Sequence, residues 1–356
     1  MTTIVEPTLF DADEGLSYAP AARLLLKPTA CETDWHVARS TGIGGSDVAA
    51  ILGLDKWKSP RHVYEAKHGR KDFADSEAAE FGREVEDVIA RVWSRRTGLA
   101  LAPSPGTLQN IEHPWMIGNP DRLVLDEVDE VAGPLECKNR SEWQLSDWEE
   151  DEAPDAPAFQ TIWYMAVAGW QTGYVAACVG GNKLRWHRIE RDEELIGHLV
   201  DYCGTWWERH VVDGEPPPPD GHPATKDLLA HLWDVKPEAV AEVDVEQARD
   251  LRKRRKAIKE AIKRAERKVD LIDNTMRLAA GEKEIVKTPG GKVAWTWKQN
   301  GNFDEAGFRA EFPELAAEFT SRRTVDVLDR KALQAAHETE YRKHRGRRMY
   351  VPKKDV

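Results

Sequence analysis

Residues 118–138 read GNPDRLVLDEVDEVAGPLECK, a sequence that predicts two short apolar strands joined by an acidic turn. Asp121 opens the first strand, and Glu136 and Lys138 lie on the second. Because side chains alternate along a strand, Glu136 and Lys138 face one side and Cys137 faces the other. Two carboxylates on adjacent strands suit Mg²⁺, which takes oxygen ligands, keeps several waters and completes its shell with phosphate. The lysine could orient or deprotonate an attacking water, or neutralise charge on the phosphorane.

This hairpin therefore has the composition of a nuclease metal site, but a purely structural alternative explains the same residues. Charged residues alternate on the solvent face of any antiparallel hairpin. The hairpin alone leaves both interpretations open, so the rest of the chain has to distinguish them.

The composition limits the class of protein. A chain of 356 residues allows one large domain with an appendage, or two domains. The mean hydropathy is −0.61, and no apolar run approaches the roughly 20 residues that a membrane helix needs. We therefore expect a soluble protein without a membrane partner. The N-terminus carries no secretory signal pattern, so we expect a cytoplasmic location.

Cysteine spacing and net charge narrow the class further. The four cysteines are far apart and form no CxxC pair, so we expect reduced thiols and neither a zinc site nor an iron-sulfur cluster. The net charge of −11 argues against a protein that coats nucleic acid nonspecifically. An enzyme with a local basic groove remains compatible with that charge.

Residues 35–47 read WHVARSTGIGGSD and predict a short helix, a glycine-rich turn and the start of a second helix. Trp35 and Arg39 share a face of the first helix. Ser46 is a natural N-cap for the second, whose free N–H groups could hold a phosphate. The alternative is a tight structural turn between two helices, with Ser46 acting only as a cap.

Two predicted helices carry further candidates. A helix over residues 81–97 presents Glu84 and Glu86; either side chain could be solvated, but Glu86 lies beside the apolar stripe. A mostly apolar helix over residues 156–170 carries Gln160 near its beginning. That amide could cap the helix or face solvent, or it could hold a scissile phosphate or an attacking water.

The order of these features resembles the YqaJ-like viral recombinase nucleases, relatives of the lambda-type alkaline exonuclease within the PD-(D/E)XK superfamily. The resemblance covers about residues 35–212. It rests on Trp35, Arg39, the turn 42–47, residues 81–86, Pro120-Asp121, Glu136-Cys137-Lys138, and Gln160 ahead of an aromatic helix that ends in Gly169. It implies an α/β (α+β) fold with a restriction-endonuclease-like PD-(D/E)XK core, in which helices flank a central mixed sheet.

The resemblance also implies roles for the candidate residues. Asp121 and Glu136 would bind the metal, with Glu86 completing the site; Glu84 competes with Glu86 for that place. Lys138 would activate water. Gln160 would support the substrate or metal, and Arg39 with Ser46 would hold the 5′-phosphate of the strand being degraded. The expected metal is Mg²⁺, with Mn²⁺ as the alternative.

The function that follows is a metal-dependent DNA exonuclease. It would act on double-stranded DNA ends, degrade the 5′-ended strand and leave 3′ overhangs for a single-strand annealing protein. The resemblance makes a homotrimer the expected assembly. The alternatives are a structure- or sequence-specific endonuclease on the same core and a non-catalytic DNA-binding recombination scaffold.

The sequence also predicts how the chain is divided. We expect an N-terminal arm over residues 1–30, the nuclease domain over residues 31–213 and a proline-rich linker over residues 214–221. Residues 222–356 would form an accessory region with a coiled-coil-like seam, which suits a helical hairpin or a partner helix, and a small α+β module that includes a strand at 324–328. DNA binding, self-assembly and recruitment of an annealing protein all remain open for this region.

Overall fold

The computed structural model describes residues 16–70, 77–233, 239–321 and 328–343. The chain divides into two compact units, Met1–Trp233 and Asp234–Val356. Within the described ranges, no helix combines the length and the apolar character that are needed to cross a membrane. All candidate site residues belong to the first unit.

The first unit alternates strands and helices along the chain. Its strands are β1 (Ala22–Leu26), β2 (Ala100–Pro103), β3 (Thr107–Asn110), β4 (Ile117–Gly118), β5 (Arg122–Leu125), β6 (Val131–Arg140), β7 (Thr172–Val179) and β8 (Lys183–Glu190). Its α-helices are α1 (Glu32–Ser40), α2 (Gly45–Ile51), α3 (Pro60–Lys67), α4 (Glu77–Thr97), α5 (Asp155–Ala168), α6 (Glu193–Trp207) and α7 (Pro223–His231). Two 3₁₀ turns (Glu142–Gln144 and Ser146–Trp148) follow β6, and a π-helical turn (Glu208–Val212) ends α6.

A five-stranded mixed sheet lies at the centre, in the order β2, β5, β6, β7, β8. The β6–β7 pair is parallel and the other neighbours are antiparallel. A parallel pair needs a crossover connection, which α5 provides. The predicted hairpin of residues 118–138 is present as β5 and β6, in which Arg122 lies opposite Leu135.

Helices cover both faces of this sheet. On β5, Leu123 joins the core cluster that contains Trp163 of α5, while Val124 joins the cluster that contains Trp93 of α4. Alternation along the strand therefore sends successive side chains to opposite helical layers. The predicted fold, a central mixed sheet flanked by helices, is confirmed.

The N-terminal segment is more ordered than we predicted. Residues 22–26, which we assigned to an extended arm, form β1 and pair antiparallel with β3, with Ala22 opposite Asn110. β3 also pairs with β4, which completes a small three-stranded sheet. Ala22 is fully buried. The arm prediction is thus wrong for this segment because a distant strand pairs with it; residues 1–15 lie outside the described ranges.

The first unit extends beyond the proline-rich segment 214–221, which we predicted to be the linker. The hydroxyl of Tyr64 donates to the carbonyl of Gly214 at 3.1 Å. Further along, α7 buries Ala224 and Leu228. Because this helix contributes to the core, the boundary between the units lies after Trp233.

The second unit begins with one long helix. Its elements are α8 (Val245–Ala280), β9 (Ile285–Lys287), β10 (Val293–Thr296), α9 (Glu305–Glu311), α10 (Pro313–Glu318), α11 (Arg330–Ala336) and α12 (Glu338–Lys343). The predicted helical hairpin is wrong, because 36 residues without glycine or proline form a single helix that ends at Gly281. Most of the predicted strand at 324–328 lies outside the described residues.

Candidate active site

Asp121, Glu136 and Lys138 meet where β5 begins beside β6. The backbone N–H of Cys137 donates to Asp121 Oδ2 at 2.7 Å, which fixes the Asp121 carboxylate against the neighbouring strand. The Lys138 ammonium donates to Glu136 Oε1. Cys137 is buried among the apolar side chains under α4. The alternation predicted from the sequence thus places the charged groups on one side and the thiol on the other.

Helix α5 delivers an amide to the same place. Gln160 Oε1 accepts a hydrogen bond from Lys138 Nζ at 2.9 Å, and its Nε2 donates to Glu136 Oε1 at 2.7 Å. The same Nε2 lies 2.8 Å from the hydroxyl of Tyr164, one helical turn further on. Gln160 is buried, so it neither caps the helix nor faces solvent. It holds the lysine and the glutamate in fixed positions.

Helix α4 contributes Glu86 and not Glu84. Glu86 is half-buried, whereas Glu84 is exposed. Burial and the nearby charge of Asp121 raise the pKa of Glu86 to about 7. Glu86 therefore stands within electrostatic reach of the two strand carboxylates, on the side of α4 that we preferred from the sequence. We call Glu86, Asp121, Glu136 and Lys138 the strand cluster.

The strand cluster contains three carboxylates and one ammonium, that of Lys138, so its carboxylates are not fully neutralised. Burial, followed by the charge of Asp121, raises the pKa of Glu136 to about 8. Burial also raises the pKa of Asp121, although Lys138 opposes that effect. Glu136 Oε2 is buried without a hydrogen-bond partner. A buried carboxylate oxygen of this kind is costly unless a cation or a donor reaches it.

These residues fit a divalent cation site that is completed by other ligands. Within the described ranges, no three His, Cys, Asp or Glu side chains already converge as a metal-binding group. Mg²⁺ does not require one, since it commonly uses one or two carboxylates together with waters and phosphate oxygens. Asp121 and Glu136 supply that pair, and Glu136 Oε2 is an available ligand atom.

An open cleft of about 280 Å³ leads to the strand cluster. Asp121, Arg122 and Glu86 line it together with Trp35 of α1. The indole of Trp35 also lies under the guanidinium of Arg39, with 4.8 Å between the Arg39 Cζ and the ring centroid. Trp35 therefore connects the cleft to the glycine-rich turn.

The turn brings Arg39 and Ser46 together. Arg39 Nη2 donates to Ser46 Oγ at 3.1 Å and to Asp47 Oδ1 at 3.2 Å. About a third of the Arg39 side chain is exposed. Ser46 is not the N-cap that we predicted: Gly44 takes that position, and its N–H donates to the Asp47 carboxylate at 3.1 Å. Ser46 lies in the first turn of α2, with its hydroxyl beside the guanidinium.

The sequence did not identify two of the residues that hold this turn in place, Lys67 and Asp47. Lys67 of α3 is buried and donates to Asp47 Oδ2 and to the Arg39 carbonyl, both at 2.7 Å. Burial raises the pKa of Asp47, but Lys67 and Arg39 outweigh that effect and hold it well below its usual range. No local pattern marks Lys67, since its partners are distant in sequence. We call Arg39, Ser46, Asp47 and Lys67 the turn cluster.

Tyr164 is a third residue that the sequence did not identify as part of the site. Burial raises the pKa of its hydroxyl well above the usual value, so the group remains a neutral phenol beside Gln160. Its place could have been anticipated, because residues four apart on a helix lie on the same face.

Comparison with known proteins gives matches of both sequence and structure. The family model of the YqaJ-like viral recombinase domain matches residues 34–171. The uncharacterized protein YqaJ of Bacillus subtilis (strain 168) is 30% identical over 300 residues, which cover 83% of this chain and 92% of that protein.

Two solved structures match about half of the chain. An alkaline exonuclease (LHK-Exo) from Laribacter hongkongensis is 18% identical with a TM-score of 0.43, covering 51% of this chain and 93% of that chain. A phage related exonuclease from Haemophilus somnus 129PT is 14% identical with a TM-score of 0.38, covering 49% and 96% respectively.

Proposed function

Since the chain belongs to the YqaJ-like viral recombinase family, we propose that it is a metal-dependent nuclease that degrades duplex DNA from an end. We further propose that it removes the 5′-ended strand and leaves a 3′ overhang that an annealing protein can use. The metal would be Mg²⁺, with Mn²⁺ as the alternative.

One observation supports the proposal most strongly: Asp121 lines a cleft and is bonded to the strand that carries Glu136 and Lys138, and Glu136 Oε2 is buried without a hydrogen-bond partner. Surface carboxylates of an ordinary hairpin would be solvated, with ordinary pKa values. Here burial raises the pKa values of both acids. Perturbed titratable groups that converge in a cleft are typical of a catalytic site.

The proposed mechanism assigns each side chain one task. A bound Mg²⁺ would polarise the scissile phosphate and lower the pKa of a water molecule. Asp121 and Glu136 would hold that ion. The ammonium of Lys138 positions the attacking water or offsets negative charge as it develops on the phosphate. Gln160 orients the lysine, because its Oε1 accepts from Lys138 Nζ while its Nε2 donates to Glu136.

The turn cluster is proposed to hold the terminal 5′-phosphate. Arg39 offers a guanidinium that is already oriented by Ser46, Asp47 and the Trp35 ring. The partial exposure of Arg39 leaves donors for a phosphate, and guanidinium matches phosphate oxygens in a bidentate way. Trp35 also lines the cleft, so a strand end bound at Arg39 would extend towards Asp121.

The test is a time course on linear duplex with Mg²⁺, comparing 5′-labelled with 3′-labelled strands. The proposal predicts immediate release of the 5′ label as mononucleotide, while the 3′-labelled strand shortens through a ladder of intermediates. Early release of the 3′ label would reverse the polarity. Cutting of a covalently closed circular duplex would indicate an endonuclease, and no metal-dependent release from any substrate would leave only a binding role.

Two further expectations rest on the family resemblance alone: a homotrimer and a single-strand annealing protein as partner. Both stay predictions, to be tested by the mass of the purified protein and by co-purification with a co-expressed annealing protein. The expected cytoplasmic location, in a bacterial host cell if the protein is phage-encoded, also stays a prediction.

A further inference from the structure

Helix α8 carries an apolar stripe that is exposed in the described part of the chain. The stripe consists of Leu251, Ile258, Ile262, Val269 and Ile272, whose side chains are between 52% and 61% exposed. They recur at alternating spacings of three and four once Arg255 and Ala265 are included. A stripe with this spacing is the seam of a coiled coil, and it needs a partner helix to be buried.

We propose that α8 pairs with α8 of a second copy of the chain in an antiparallel, two-stranded coiled coil. The inference concerns the second unit alone, stands independently of the proposed nuclease function, and adds a two-fold contact to whatever contacts form the expected homotrimer. A partner helix from the same hairpin is excluded for the described residues, because α8 continues for 36 residues without a turn. The seam ends near Met276, whose carbonyl accepts a hydrogen bond from the indole of Trp295.

The apolar residues select a register. In heptad positions, Arg255, Ile262 and Val269 occupy a, and Ile258, Ala265 and Ile272 occupy d. In an antiparallel pair, a residues meet d residues. Centring the pair between Ile262 and Ala265 places Ile262 against the partner's Ala265 and Ile258 against the partner's Val269. Each small Ala265 thus lies against a larger Ile262.

Arg255, the only charged residue within the seam, also favours this direction. In the antiparallel register it lies beside the partner's Ile272, where its stem can pack while the guanidinium reaches solvent. In a parallel pair the two Arg255 side chains would face each other across the seam. Opposed like charges at that position are unfavourable.

The charged residues beside the seam give the strongest support for the antiparallel direction. The e positions are Arg252 and Lys259 in the N-terminal half and Glu266 and Asp273 in the C-terminal half. Antiparallel pairing brings Lys259 to the partner's Glu266 and Arg252 to the partner's Asp273, and two-fold symmetry repeats both pairs. Charged residues at these positions set the partner and the orientation of a coiled coil. All four contacts are attractive.

The parallel arrangement lacks this complementarity. There the g position of one heptad faces the e position of the partner's next heptad, so Arg254 would meet the partner's Lys259. The attractive pair of Lys268 with the partner's Asp273 would only offset that repulsion. Both the flanking charged residues and the seam residues therefore favour the antiparallel direction.

Site-specific disulfide formation tests the register in the full-length chain. One population carries Ile258→Cys and the other Val269→Cys, both with Cys31→Ser and Cys178→Ser, which remove the exposed and the half-buried native thiol. Mild oxidation should cross-link the mixture but neither population alone. Two copies of residue 258 would lie eleven residues apart along the axis, about 16 Å, beyond the reach of a disulfide.

The other outcomes overturn the proposal. Cross-linking of the Ile258→Cys population alone, as efficiently as the mixture, would show a parallel pair. No cross-linking in the mixture would show that α8 does not pair with itself in this way. The chain with only the two serine substitutions reports any background from the buried native cysteines.

Charge exchange provides a second measurement of the same pairs. Lys259→Glu in both cross-linking partners makes each contact with Glu266 repulsive, and should lower the initial rate about tenfold at limiting concentration. Combining Lys259→Glu in one partner with Glu266→Lys in the other makes both contacts attractive again and should restore the rate. Failure of that combination to recover, with unchanged helicity by circular dichroism, would contradict the antiparallel assignment.

Discussion

The turn cluster and the strand cluster are both buried groups of charge in the same unit, yet they differ in how completely their carboxylates are neutralised. In the turn cluster, Asp47 contacts two cations, Arg39 and Lys67, and its pKa lies well below the usual range. In the strand cluster, Lys138 acts on all three carboxylates, and Arg122 also acts on Glu86 and Asp121. Burial raises the pKa values of Glu86 and Glu136 to about 7 and about 8.

This difference separates a scaffold from a reaction centre. A buried carboxylate with two cationic partners is neutralised, and it can fix the geometry around a phosphate pocket without further ligands. A buried carboxylate with a raised pKa and an unpartnered oxygen is neutralised only after it binds a proton or a cation. The turn cluster should therefore govern stability and DNA-end preference, and the strand cluster should govern catalysis.

The largest expected effect is the loss of nucleolysis in the strand cluster. Asp121→Ala or Lys138→Ala should lower the rate by about 10³-fold or more, because each removes charge stabilisation at the reacting phosphate. The rate of nucleotide release from linear duplex measures this, with the melting temperature as a check on folding.

Glu86 and Glu84 offer a matched pair on the same helix. Glu86→Ala should reduce nucleolysis by about 10²-fold if Glu86 completes the site, whereas Glu84→Ala should stay within about twofold, since an exposed helical glutamate contributes little. Equal losses in the two variants would remove Glu86 from the site.

The next effect is on stability and should be larger in the turn cluster. Lys67→Met should lower the free energy of unfolding by about 3 kcal/mol at pH 7, because it removes one of the two cations beside a buried, ionised Asp47. Lys138→Met should cost about 1 kcal/mol without metal, because Glu136 can take up a proton instead. Urea unfolding measures both. Lys56→Met, at an exposed side chain, serves as the control. Equal losses of unfolding free energy in Lys67→Met and Lys138→Met would contradict the proposed difference between the two clusters.

The pH dependence of the free energy of unfolding should also differ between the two clusters. The folded-state pKa of Glu136 is raised, so its contribution is complete below its ordinary value of 4.5 and is lost as the pH rises through about 8. With EDTA present, the free energy of unfolding should fall by about 2 kcal/mol between pH 6 and pH 9. Saturating Mg²⁺ or Glu136→Gln should flatten that slope.

Asp47 should produce the opposite trend in another pH range. Because its folded-state pKa is lowered, the contribution of Asp47 to stability is present above its ordinary value of 3.8 and is lost only as the pH falls below it.

The Glu136 prediction has a contradicting outcome. If Glu136→Gln leaves the free energy of unfolding between pH 6 and pH 9 unchanged, Glu136 does not carry the raised pKa.

The smallest expected effect concerns the DNA end. Ser46→Ala should reduce the preference for a 5′-phosphorylated over a 5′-hydroxyl duplex about tenfold, since one hydroxyl and the orientation of Arg39 are lost while Lys67 still neutralises Asp47. The ratio of initial rates on the two substrates measures it. A wild-type protein without any preference would remove the phosphate role of Arg39 and Ser46.

The sequence predicted the parts of this arrangement that depend on local pattern. Alternation in residues 118–138 predicted the hairpin and the common side of Glu136 and Lys138, because strand periodicity is a property of neighbouring residues. Helical spacing likewise favoured Glu86 over Glu84, in agreement with the observed burial of the two side chains.

What the sequence could not supply depends on tertiary contacts. β1 forms because β3, far along the chain, pairs with it, and Lys67 reaches the turn cluster from another helix. Periodicity likewise identified the stripe on α8 but not its continuity, although the absence of glycine and proline from Val245–Ala280 was the available signal.

The most direct test of the central claim is calorimetric titration of Mg²⁺ into the protein at pH 7, in buffers of different ionisation enthalpy. At that pH a Glu136 with a pKa of about 8 is mostly protonated and a Glu86 with a pKa of about 7 is partly protonated, so binding at the strand cluster should release roughly one to two protons per ion, most of them from Glu136. Glu136→Gln should weaken binding and abolish most of that release. Binding without proton release, or binding that Glu136→Gln leaves unchanged, would contradict the assignment of the strand cluster as the metal site.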